Sequence, residues 1–137
     1  MFSRTKTAKD KVRFNKTHAD TDGELSELEM EVYSGEGPPL HYHKVISQTF
    51  KVKEGTLYLT VSGKTHTLKG GDTFMVPPLV PHGESAVKGK LLRCVVEIRP
   101  GHKGYEDFIN MTYGNFKAEA SEEEQKRIYL NADTYRP

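Results

Sequence analysis

The 137-residue sequence has little of what staples, anchors or strongly charges a chain. Its single cysteine, Cys94, excludes an intramolecular disulfide and a CxxC metal site. That composition suits a reducing, cytoplasmic setting. No stretch reaches the ~18 consecutive apolar residues of a membrane span, and residues 1–25 carry no apolar run of the signal-peptide kind. Charge of one sign is also missing. Lys and Arg number 20 against 19 Asp and Glu, so the net charge of +1 gives no electrostatic case for a nucleic-acid partner. These absences leave a soluble single domain, long enough for one hydrophobic core, with no membrane and no nucleic acid among its expected partners.

What the sequence does contain is charge sorted by position and a regular alternation. Arg4, Lys6, Lys9, Lys11, Arg13 and Lys16 form a basic run, and Asp20, Asp22, Glu24, Glu27, Glu29 and Glu31 an acidic one. Residues 1–25 read as a solvated polar arm that feeds an exposed strand, with a docking arm for a partner as the other reading. From residue 26 to 100 short strands and turns follow one another. Leu28, Met30 and Val32 alternate with Glu29, Glu31 and Tyr33. Further runs span 46–53, 56–62, 65–69, 73–76, a short strand from about Gly83, and 90–99. The turns between them carry Gly55, Gly63, Gly70 and Gly71, and a proline corner covers 77–81. Such spacing predicts an all-β sandwich or barrel. Residues 101–137 form an extension of helical character packed on the same domain. Tyr105–Met111 makes one short helix, and about 121–130 makes another, with Ser121 and Glu124 at capping-box spacing.

Four polar residues stand out against this strand pattern. His41 and His43 flank Tyr42, so on extended backbone both imidazoles share a face while Tyr42 turns away to pack. Gln48 has the parity of Phe50 and Val52, the apolar face of its strand, where an amide is costly unless something satisfies it. His82 follows the proline corner. Together these side chains offer neutral nitrogen and oxygen donors to one divalent ion. A histidine pair on a strand can also be an ordinary exposed pair. The glycines and prolines around it favour the ligand reading.

With those glycines included, the pattern resembles the cupins. Gly35-x5-His41-x-His43-x4-Gln48-x6-Gly55 is similar to the first cupin motif at every spacing, and Gly71-Asp72-x4-Pro77-Pro78-x3-His82 resembles the second. The resemblance covers about residues 28–99. It implies a jelly-roll-like β-barrel with a metal in its mouth, held by His41, His43, Gln48 and His82. It also implies a homodimer, for which the segment through Val32 could cross onto a partner. Three positions depart from the family pattern: Gln48 replaces a glutamate, Leu79 a glycine, and Ala86 a frequent asparagine.

The glutamine alters the chemistry. Three imidazoles and an amide bring no negative charge, so the ion would keep its full +2 and attract anionic or carbonyl oxygen. This points to an isomerase, lyase or dioxygenase acting on a small carboxylate- or carbonyl-bearing molecule such as a sugar acid. A non-catalytic cupin that binds or senses a small ligand is the alternative. Zinc, nickel, iron and manganese all suit these donors. Arg93, Tyr58 and His66 are the candidates for catalytic roles. Arg93 could instead lie on the outer face of its strand, paired with Glu97, and Tyr58 and His66 could be ordinary strand residues. His18 and His102 read as solvated, and Cys94 as core.

Overall fold

The computed structural model describes residues 10–113 and 120–137. Alternating burial builds its strands: Ser26, Leu28, Met30 and Val32 point inward from one, and Leu92, Cys94, Val96 and Ile98 from another. The strands are β1 (Lys11–Lys16), β2 (Ser26–Val32), β3 (Ser47–Glu54), β4 (Thr56–Val61), β5 (Lys64–Lys69), β6 (Thr73–Val76), β7 (His82–Ala86) and β8 (Leu92–Arg99). The helices are α1 (Lys103–Tyr113) and α2 (Glu122–Leu130). A five-stranded antiparallel sheet, in the order β1-β2-β8-β3-β6, faces a three-stranded one, β5-β4-β7. The inward residues of both sheets form one core, which Tyr105, Phe108 and Ile109 of α1 extend. The fold is the expected all-β jelly roll with a helical C-terminal extension.

Tight connections need backbone conformations that side chains oppose. Gly55, between β3 and β4, has φ 86°, and a Cβ there would lie 2.1 Å from the Leu91 carbonyl oxygen. Gly71, with φ 97°, ends the turn before β6.

The N-terminal segment differs from a solvated arm. Residues 11–16 are an edge strand of the main sheet, with Val12 and Phe14 packed against the core. The basic and acidic runs are the two sides of one antiparallel pair: Lys11 lies opposite Glu31, Arg13 opposite Glu29, and Lys16 opposite Glu27. Segregation along the sequence thus becomes complementarity across strands. It also makes β1 the edge strand of the five-stranded sheet, beside β2. Arg4, Lys6 and Lys9 lie outside the described residues.

Two further expectations are corrected. Glu97 pairs with Lys51 at 3.2 Å and Arg99 at 3.9 Å, not with Arg93. Residues four apart on a strand are separated by roughly 13 Å, so cross-strand and nearer neighbours win. His18 and His102 are not simply solvated. The His18 amide and ring both bind the buried Glu106 carboxylate, at 2.6 and 2.8 Å, and His102 Nδ1 accepts from the Tyr105 amide at the start of α1.

Candidate metal centre

The site forms where three chain segments meet. His41 exchanges two backbone hydrogen bonds with His82, the first residue of β7, at 2.9 and 2.8 Å. On its other side Tyr42 exchanges two with Tyr135, both 2.9 Å. Residues 41–42 therefore act as a two-residue strand between β7 and the C-terminal segment. The pairing turns His41 and His43 inward and leaves Tyr42 to stack on Tyr135, with ring centroids 5.5 Å apart. Gln48 enters from β3, opposite Ile98 and Val76.

His41, His43, Gln48 and His82 are all buried, His82 completely. Ligand atoms of the three histidines lie within 4.8 Å of one another. Neighbouring donors bound at 2.0–2.2 Å to a common ion would be spaced at about 3–3.6 Å, so the rings would draw together to close the set. Gln48 Oε1 stands 2.8 Å from His82 Nε2 and 3.1 Å from His43 Nε2.

Backbone carbonyls settle which ring nitrogens are bare. The Nδ1 atoms of His41, His43 and His82 face the carbonyl oxygens of Pro39, Asp133 and Val80 at 2.7, 2.8 and 3.0 Å. A carbonyl only accepts, so each Nδ1 carries the proton. Burial keeps the rings neutral. It lowers the pKa of His41 to about 3, helped by the His82 ring, and that of His82 to about 4; His43 is lowered as well, with partial relief from Asp133. A neutral ring protonated at Nδ1 has a lone pair at Nε2. Three such lone pairs and an amide oxygen converge on one buried point, a donor set suited to a divalent cation. Turning the Gln48 amide over would direct its NH2 to the rings instead. Its present partner, the Tyr105 hydroxyl, accepts from Nε2 at 3.0 Å and could equally donate to the oxygen.

Asp133 has no local signature in the sequence, yet it organises the surroundings. Its carboxylate accepts hydrogen bonds from the amides of Lys44, Val45 and Ile46, each at 2.9 Å, while its carbonyl oxygen accepts one from the His43 Nδ1–H. Glu84 was also missed. It lies two residues beyond His82 on β7 and opposite the buried Leu59, hence on the inner face. Parity with His82 is the signal that would have found it. With Gln48, Phe50, Tyr105, Ile109 and Tyr113 it borders an internal cavity of about 30 Å³.

The other candidates fall elsewhere. Arg93 is exposed between the inward Leu92 and Cys94. Tyr58 is half-buried and alternates with the inward Leu57 and Leu59. His66 stacks on Phe74 with centroids 4.6 Å apart. Cys94 is buried, and burial raises its thiol pKa to about 12, so it reads as core.

A family model described as the cupin domain matches residues 28–101. Solved structures share the architecture. KdgF from Halomonas sp. aligns with a TM-score of 0.58 at 18% identity over 75% of this chain and 88% of that one. The polyketide cyclase RemF from Streptomyces resistomycificus gives 0.57 at 24% identity over 72% of each chain. Salicylate 1,2-dioxygenase from Pseudoaminobacter salicylatoxidans, in adducts with gentisate, gives 0.55 at 21% over 69% of this chain and 26% of that one. Likeness at these identities concerns the fold. No curated protein matches the chain.

Proposed function

The chain belongs to the cupin domain family, and from that premise we propose a metal-dependent enzyme acting on a small polar molecule with a carbonyl or carboxylate oxygen. A sugar acid is the type of compound, and isomerase, lyase and dioxygenase chemistry are the reaction classes it suits. The observation that carries the proposal is the donor set: three imidazoles protonated at Nδ1 by backbone contact, with Nε2 and the Gln48 amide oxygen converging. His41, His43, Gln48 and His82 would hold one divalent ion, with zinc, nickel, iron and manganese all compatible. Such an ion would polarise a substrate oxygen and acidify bound water. The chain's own part is to keep the donors neutral and bare. Burial and the carbonyls of Pro39, Asp133 and Val80 do so for the rings, and Tyr105 orients the amide. A cyclase and a dioxygenase on the same fold give the reading precedent.

One observation favours a second reading, a cupin that binds without turnover. All four donors are buried, and the adjoining cavity has room for only one or two water-sized groups unless its walls move. One experiment separates the two. Wild-type protein is screened against uronates, keto-acids and other small carboxylates by thermal shift, then by product detection. Any hit is repeated with Gln48→Glu and with His82→Ala. An enzyme that depends on the neutral amide gives tighter metal binding but about tenfold slower turnover in Gln48→Glu, and no turnover in His82→Ala. Ligands that bind without product support the second reading. Turnover that persists in metal-free His82→Ala removes the metal from the chemistry.

A further inference from the structure

All four candidate ligands are enclosed: His41 and His43 are 3% exposed, Gln48 is 2% exposed and His82 not at all. A molecule that is to touch an ion among them needs part of this wall to move. Gln48 and His82 sit on strands held by antiparallel ladders, β3 between β8 and β6, and β7 beside β4. Residues 131–135 are attached differently. They lie outside the residues that match the family model and reach the barrel at an isolated bridge, where the Tyr42 and Tyr135 amides each donate to the other's carbonyl at 2.9 Å. Beside the bridge, Asp133 accepts from the amides of residues 44–46 and from the His43 ring. Asp133 itself stands at φ 50°, a left-handed conformation that residues other than glycine rarely adopt and that lasts only while its surroundings hold it. Lys44 Nζ closes over the Tyr135 ring, 4.3 Å from its centroid.

We propose that residues 131–135 are a strap that closes the metal site and must release before a small molecule reaches the ion. This rests on the metal-enzyme reading and deepens it with a gating step. A single bridge opens more readily than a ladder, because few neighbouring bonds break with it. Release loosens residues 42–46, with His43 among them, and takes the Asp133 carbonyl away from the His43 ring. Closure does the reverse. It orients that ring and excludes water, so the grip on the ion is tightest in the closed state. Access and donor order are thereby controlled by one element.

The test has two arms, both on full-length protein. In the first, wild-type protein is followed by native-state hydrogen exchange, which requires no metal. The Tyr42 and Tyr135 amides should exchange about a hundredfold or more faster than the ladder amides of β8, through an opening smaller than global unfolding. In the second, the double variant Tyr42→Cys, Tyr135→Cys is joined by the short cross-linker dibromobimane. Bridge partners that exchange both hydrogen bonds lie ~5.5 Å apart between Cα atoms, within its reach. The native thiol of Cys94 is buried and does not compete. The same variant capped with monobromobimane is the control. Loaded with zinc and mixed with excess EDTA, the cross-linked form should release the metal about tenfold or more slowly than the capped form. Tyr42 and Tyr135 amides as protected as those of β8 overturn the proposal, and so do equal rates of zinc release. Wild-type protein that takes up no zinc fails the metal reading itself, while hydrogen exchange still decides whether the strap opens.

Discussion

Leu79 occupies the left-handed region, at φ 72°, in the corner between β6 and β7. Its amide donates to the His43 carbonyl at 2.6 Å, so the strained residue also braces a candidate ligand. A non-glycine residue in that region costs roughly 1–2 kcal/mol. With 65% of its surface exposed, the side chain recovers little by burial. Leu79→Gly should therefore stabilise the fold by about 0.5–1 kcal/mol after the extra freedom of glycine in the unfolded chain is subtracted. Urea unfolding checks this, and a loss of stability would mean that the leucine side chain makes a contribution the exposure does not suggest. At this scale the sequence was partly legible. Parity placed Gln48 inward because one strand decides it. Parity also reached Glu84 in principle, but a glutamate between Gly83 and Ser85 reads as a surface residue until β7 is known to begin at His82.

Elements meet at the site through contacts distant in sequence. β3 and β7 supply Gln48 and His82, while the C-terminal segment after α2 supplies the clamp: Asp133 holds residues 44–46 by three amides and fixes the His43 ring. The amide bonds to Asp133 are charge-assisted, and the segment they bind leads straight into β3. Asp133→Ala should lower metal affinity 10–100-fold, as loss of an outer partner of a ligand commonly does. It should also destabilise the fold by about 2 kcal/mol or more, because the freed amide of buried Ile46 loses its acceptor. Competition against a zinc-binding dye reads the first effect and urea unfolding the second; unchanged zinc affinity would show that His43 is oriented without Asp133. Local signals behaved differently. The α2 cap was legible, and Ser121 Oγ accepts the Glu124 amide at 3.1 Å as its spacing implies. The Asp133 clamp was not, since its partners lie 87–89 residues away and leave no periodic trace. The β1–β2 pair lay between these cases: both charged runs were visible, but their antiparallel pairing was not.

Across the whole molecule, the site makes the metal-free fold sensitive to acid. His41 and His82 stay neutral in the fold down to about 3 and 4, whereas in the unfolded chain they titrate near 6.5. Below that value the unfolded state binds more protons, so stability is complete above pH ~6.5 and falls as pH drops towards the folded values. At pH 5 each ring accounts for about 2 kcal/mol of that loss, with His43 acting in the same direction. Urea midpoints of metal-free protein should be level from pH 7 to 8 and decline from 6.5 to 4; midpoints independent of pH would show the rings to be less enclosed than they are here. Bound metal would oppose this decline by binding only the folded state. The central claim is that these four side chains form a metal centre, and metal stoichiometry tests it most directly. Protein purified without chelator should carry about one divalent ion per chain by elemental analysis, and His41→Ala, His43→Ala and His82→Ala should each lose it while remaining folded by circular dichroism. A wild-type chain that carries no metal, and that binds added zinc no more tightly than the triple-alanine variant, would contradict the account.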